Sequence, residues 1–159
     1  MRRRERAENP LLARVKLGPV LANVFQELRL SATLTDGQTW LPVFSSPNVV
    51  SIEFAHRVES RRDPHNARSI ARTRRTHRAV LAQHAGFHDL FTPVGPDART
   101  VLVVGPFAVA RPSSAELQDR WHALTGTNAR AGDPEFAHYL ELTLATATFE
   151  GAMLDTLVR

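Results

Sequence analysis

The residues best placed to do chemistry lie in "RTHRAVLAQHAGFHDLFTPV", residues 75–94, where His77, His84 and His88 fall seven and four positions apart. Two histidines at i and i+4 on a helix, with a third ligand, are a familiar zinc-binding arrangement. His84 and His88 have that spacing, and the carboxylate of Asp89 could complete the set. Gly86 lies between them, however, and glycine often stops a helix, which would put His88 beyond a corner. The same rings could contact a polar or anionic ligand near neutral pH, or simply hold the corner by hydrogen bonds. The balance favours a pocket corner, with no metal and no other cofactor assigned.

A helical wheel over residues 64–84 puts Ile70, Arg74, His77, Leu81 and His84 within an arc of about 80°. Arg68, Arg72, Arg75 and Ala79 fall opposite and are expected to face water. Arginine is dense from Arg57 to Arg78. A solvated face accounts for that density, and a phosphate-binding surface is the rival reading. Further pocket candidates are Phe54 and His56 in "IEFAH", Phe87 and Phe91 on the segment after Gly86, and Phe107. If that segment is a strand, Phe87, Asp89 and Phe91 share one face, while His88 and Leu90 share the other. Should the aromatic face point inward, Asp89 would be buried and need a partner, with Arg74 or Arg78 the natural choices. The set expected to line a ligand site is Phe54, His56, Arg74, His77, His84, Phe87 and His88.

Catalytic signatures are absent. The chain has no G-x-S-x-G, no P-loop, no dinucleotide glycine fingerprint and no H-E-x-x-H. Ser113-Ser114 with His122 nearby reads as helix capping rather than a hydrolase pair. With no cysteine among 159 residues, disulfides, thiol catalysis and Cys-based zinc sites are excluded. All of the 20 basic residues except Lys16 are arginine, which raises the pI although the formal net charge is only +4. That makes the high pI a poor argument for nucleic acid binding. No run of 18 apolar residues suggests a membrane span, and the charge-interrupted N-terminal segment is read as belonging to a cytoplasmic protein.

Stepping from these residues to the elements that must hold them, residues 1–9 read as a basic disordered tail and 10–159 as one domain. Apolar spacing from Pro10 to Leu28 predicts a helix, firmest over 18–29 because Pro19 suits a first turn. Asp36-Gly37 predicts a hairpin with arms near 30–34 and 38–44. Residues 49–58 are assigned to a helix and 64–84 to another, with Pro64 at its first turn and Gly86 past its end. "FHDLFT" reads as a strand. The four aliphatics Val101–Val104 read as a buried or central strand, which Gly105-Pro106 should bend or end. Ser113 and Glu116 form a capping-box pattern for a helix that Gly126 stops. A last helix starts at Asp133-Pro134 and is expected to run about 25 residues, with Phe136, Leu140, Leu144, Ala147 and Gly151 on one stripe. The order predicts an α+β fold, a mostly antiparallel sheet flanked by helices.

This order, together with "HAGFHDLFTPV" followed by "VLVVGPF", resembles the GAF-like sensory domains of the PocR type. Ala85-Gly86-Phe87, Pro93-Val94 and Val101–Gly105 carry the likeness, which covers about residues 64–110. The family pattern has cysteines near the Ala-Gly pair; here His84 stands there and no cysteine occurs. The resemblance implies GAF/PAS-like sensor architecture and a bacterial input domain that binds a small molecule. It also implies an output module or signalling partner, in transcription regulation among other systems, and a homodimer through the terminal helices. The expected function is therefore ligand binding and signal transduction rather than catalysis. The alternative is a nucleic-acid- or protein-interaction module using residues 57–78.

Overall fold

A computed structural model describes residues 18–158. The basic tail expected at residues 1–9, and the lead-in from Pro10, lie outside the described residues. Helix α1, Gly18–Leu28, occupies the firmest part of the first predicted helix. It turns Phe25 into the core while Val20, Val24 and Leu28 stay exposed. The hairpin follows as β1, Ala32–Thr35, and β2, Trp40–Phe44. Its turn works as the sequence predicts: the Asp36 carboxylate accepts from the backbone N–H groups of Gln38 and Thr39, at 3.0 and 2.7 Å. Those backbone donors hold the Asp36 pKa below its ordinary value. The ambiguous segment is helical, α2, Val50–Ala55, and a 3₁₀ turn, Glu59–Arg61, leads into α3, Arg62–Thr76.

Here the structure departs from the sequence reading. Helix α3 ends at His77, a left-handed residue with φ 52°, and residues 80–84 form a strand rather than another helical turn. Strand β3, Val80–His84, pairs antiparallel with β4, Phe87–Val94, His84 opposite Phe87 and Ala82 opposite Asp89. Ala85 and Gly86 are the two turn residues, with φ 50° and 83°, as a type I′ hairpin requires. Gly86 closes a hairpin instead of a helix. The apolar positions in 79–84 satisfy a helical period in isolation, but the neighbouring strand offers a ladder of backbone partners that a helix would forgo.

Strand β5, Thr100–Phe107, runs through Gly105-Pro106 and takes the central place in a five-stranded antiparallel sheet of order β2-β1-β5-β4-β3. Helix α4, Ser114–Thr125, has the predicted capping box, with Ser113 N–H donating to Glu116 at 2.8 Å, and Gly126 closes it at φ 74°. Helix α5, Pro134–Ala145, starts on Asp133 as expected but stops at Thr146. The single long helix of the sequence reading is broken by an extended segment, and α6, Ala152–Val158, follows. Phe149 explains the break: it is buried, its ring stands perpendicular to that of Phe107 with centres 5.4 Å apart, and its N–H donates to the Ala108 carbonyl at 2.8 Å. The buried side of α5 is accordingly Tyr139, Leu142 and Thr143, whereas Leu144 from the predicted stripe is exposed.

Three apolar clusters hold the layers together. One sheet face packs Ala32, Leu90, Val104 and Phe107 against Phe25 of α1 and Phe149, with Leu154 of α6 at its margin. The other face packs Val80, Phe91 and Val101 against Ile70 of α3. A third cluster joins Ile52 of α2, Phe87, Trp121 of α4 and Tyr139 of α5. The fold is α+β, an antiparallel sheet flanked by helices, compatible with GAF/PAS-like sensor architecture. Among the described residues no helix is long and apolar enough to cross a membrane.

Ala85 holds a conformation that costs a non-glycine residue about 1–2 kcal/mol, and asparagine tolerates it best in this turn. Ala85→Asn is expected to raise the stability by on the order of 1 kcal/mol, measured by urea denaturation.

Candidate functional site

The site begins with three charges that the fold takes out of water. Glu53 on α2 and Asp89 on β4 are 2% and 4% exposed. Asp89 is inward because β4 alternates, which places it between Phe87 and Phe91, and it lies against Gly105 where β5 has no side chain. Arg62, the first residue of α3, binds both carboxylates. Its Nε and Nη2 donate to the two oxygens of Glu53 at 2.8 and 2.6 Å, and its Nη1 donates to Asp89 Oδ2 at 2.7 Å. Bidentate geometry makes the Glu53 contact both strong and directional. Burial opposes the charge on Arg62, but the bonds to Glu53 and the nearness of Asp89 outweigh it and raise the guanidinium pKa.

Two histidines complete the cluster. His65 Nε2 is 3.5 Å from Asp89 Oδ2, and His84 Nε2 is 3.9 Å from Glu53 Oε1. Their ring centres are 5.2 Å apart. Burial, and next the field of Arg62, lower the pKa of His84, so its ring is neutral at neutral pH.

Above this cluster lies a cavity of about 450 Å³. Glu53 and His84 border it below, Ala85 and Gly86 of the hairpin turn form one side, and Val58 and Arg61 another. Asp119, Arg120, Ala123 and Leu124 of α4 cover it. Arg61 ties the 3₁₀ turn to this cover by donating from Nη1 to the Ala123 carbonyl at 3.0 Å. Arg120 folds its guanidinium over Phe87, 5.5 Å from the ring centre, in cation–π geometry. The Arg120 side chain fills the place that any Cβ on Gly86 would take. A cavity of this size with apolar walls and a few converging polar groups is the usual form of a small-molecule site.

Of the residues expected to line a site, His84 borders the cavity and Phe87 lies under Arg120. The other five are elsewhere. Phe54 is 62% exposed on the outer side of α2. His56 sets its ring edge-on to Trp121 at 5.5 Å, with Nε2 3.8 Å from Glu135. Arg74 lies against Gly37 and donates to the Arg99 carbonyl at 2.6 Å, and so braces the first hairpin. His77 is an exposed helix terminus near Arg78 and Pro93. His88 points to the opposite sheet face, stacked on Phe107 at 6.3 Å, and burial lowers its pKa. The termination of α3 at Thr76 is what separates Arg74 and His77 from His84. The partner expected for Asp89 is indeed an arginine, but Arg62 rather than Arg74 or Arg78. Among the described residues no group of three or more His, Asp or Glu side chains is arranged to hold a metal ion.

Glu53, Arg62, His65 and Arg120 were not singled out by the sequence. A signal existed for Glu53, an acid enclosed by Ile52 and Phe54, as for Asp89 between apolar neighbours. Neither context names the cation that would neutralise it. No family model, curated protein or solved structure matches this chain, so any functional reading rests on the site and on the sequence resemblance.

Removing Arg62 leaves two buried carboxylates without a counter-charge. Arg62→Met is expected to cost about 3–5 kcal/mol in urea denaturation at neutral pH. His84 gives a separate signature. Its folded pKa is lowered, so its contribution is whole above about pH 6.5 and is lost as pH falls from there toward the folded value. Wild-type stability should therefore fall more steeply between about pH 7 and 5 than that of His84→Gln, with His88 supplying the slope that the variant retains.

Proposed function

We propose that this chain is a bacterial sensory domain, GAF-like and of the PocR type, that binds a small molecule between α4 and the β3–β4 turn. Occupancy is passed through the terminal helices to an output module or partner. The observation that carries the reading is the cavity of about 450 Å³ seated on the Glu53–Arg62–Asp89 cluster. A buried charge cluster makes a rigid floor, while α4 forms a cover tied to the 3₁₀ turn through Arg61. Phe87 lies under Arg120 of the cavity wall, the next residue His88 stacks on Phe107 on the opposite sheet face, and Phe107 meets Phe149 just before α6. This route through the β4 backbone supports α6 as the reporting element. Signalling requires only that the ligand bind two arrangements of α4 with different affinity. Exposed Val24, Leu28 and Met153 support pairing of terminal helices with a second copy. The same reading takes the domain to be a cytoplasmic binding module and not an enzyme.

A metabolite library screened by thermal shift should yield a stabilising ligand. Ala123→Trp, which fills the cavity from its cover, and His84→Ala should each abolish that shift, whereas His77→Ala should leave it intact. A shift that survives Ala123→Trp, or a library with no hit, would count against the cavity as the sensory site.

The second reading, a nucleic-acid surface, is favoured by Arg68, Arg72 and Arg75, which lie exposed along one side of α3. It requires binding to duplex DNA at low salt that weakens steeply as salt rises, because neutralised phosphates release counterions. Absence of binding at low salt would eliminate it.

A further inference from the structure

The polar groups around the cavity are not equally engaged, and the imbalance defines what would complete it. Glu53 is taken up on both oxygens by Arg62, and Arg61 donates from Nη1 to the Ala123 carbonyl. Arg120 differs. Its Nη1 is shielded from solvent and meets no acceptor among the described residues, although the side chain borders the cavity. Buried donors are almost always satisfied in folded proteins, so a guanidinium N–H left without a partner beside a cavity marks a side chain that gains an acceptor by turning toward a ligand there. The planar guanidinium is the cation best matched to a carboxylate, through two parallel bonds or one short charge-assisted bond.

The other walls restrict that ligand further. Val58, Ala85, Ala123 and Leu124 present apolar surface across a space of about 450 Å³, which suits an organic body and not a bare inorganic ion. Glu53 and Asp119 border the same space. With Arg61 and Arg120 the four charged side chains of the wall sum to zero, so a second negative charge on the ligand would meet no counter-charge. His84, neutral at neutral pH, adds a hydrogen-bonding edge without adding positive charge. We infer that the cavity is a receptor site for a monocarboxylic acid with a compact apolar body, its carboxylate seated on Arg120. Arg120 is then the specificity residue, held in place by Phe87 below it and by the absence of a side chain at Gly86.

This inference rests on the cavity being the ligand site, and its test separates the two. Hydrocinnamate, isocaproate and indoleacetate are titrated calorimetrically into the wild-type protein, each beside its primary amide, with phenylpropylamine and phenyl phosphate as cationic and dianionic probes. At least one acid should bind saturably and at least tenfold more tightly than its amide, and more tightly than phenyl phosphate. Arg120→Gln should bind that acid at least tenfold more weakly while keeping the wild-type circular dichroism spectrum. Should that variant fail to fold, the comparison of acid with amide on the wild-type chain decides alone. Absence of binding by every acid, an amide or phenyl phosphate that binds as tightly as the best acid, or acid binding unchanged in Arg120→Gln would each overturn the inference. A neutral or cationic probe whose binding is lost in Ala123→Trp would overturn the carboxylate assignment while leaving the sensory cavity in place.

Discussion

Arg62 is the residue on which the arrangement of this protein depends. Its guanidinium is the only side chain hydrogen-bonded to Glu53 and Asp89 among the described residues, and those two acids come from different layers. Glu53 belongs to α2, Asp89 to the inner face of β4, and Arg62 itself to the first position of α3. One planar group therefore sets how two helices approach the sheet. Buried ion clusters are seldom a net source of stability compared with apolar packing, because desolvating each charge is expensive. What they impose is geometry, since any arrangement that separates the three groups strands a charge in a medium that cannot solvate it.

That geometry shapes the space above. The cluster keeps Glu53 and His84 at the bottom of the cavity, the hairpin turn at Ala85-Gly86 leaves a flat backbone surface, and Arg120 descends from α4 into the gap. The result is a cavity with a charged floor and a cover of mixed charged and apolar residues from α4, tied to the 3₁₀ turn by Arg61. Under the sensory function proposed above, a ligand would alter the placement of one layer without dissolving the fold. The opposite sheet face, where Phe107 and Phe149 anchor α6, lies one strand residue away from Phe87 through His88.

The legible part of the fold is that governed by contacts close in sequence. The Asp36-Gly37 hairpin, the capping box at Ser113, the Gly126 stop and the Asp133-Pro134 start all appear as read, because each depends on atoms within four residues of one another. The two errors in element assignment share one cause. Residues 79–84 carry a helical apolar period, and residues 146–149 continue the stripe of α5, yet both are extended because backbone partners outside the segment claim their groups, the adjoining strand β4 for the first and Ala108, far back along the chain, for the second. Gly86 was identifiable as a turn residue in either case, but its sequence context fits a helix stop and a hairpin equally well.

For the site, composition and spacing alone determine a good deal. They exclude thiol chemistry and the common catalytic motifs, and they mark the His84–Phe87 corner and an Asp89 that would need an arginine if its face of the strand were the buried one. Which arginine answers it was decided only by the tertiary structure, because eligible guanidiniums crowd the stretch from Arg57 to Arg78 and side-chain reach erases small differences in position. Folding likewise sends His77 to the surface and His88 through to the other side of the sheet, since a strand turns neighbouring side chains to opposite faces. It brings Arg120, far along the chain and unmarked by any motif, to the cavity wall. Residue types are fixed by sequence, but the pairing of a buried charge depends on a distance, and only the packed chain has distances.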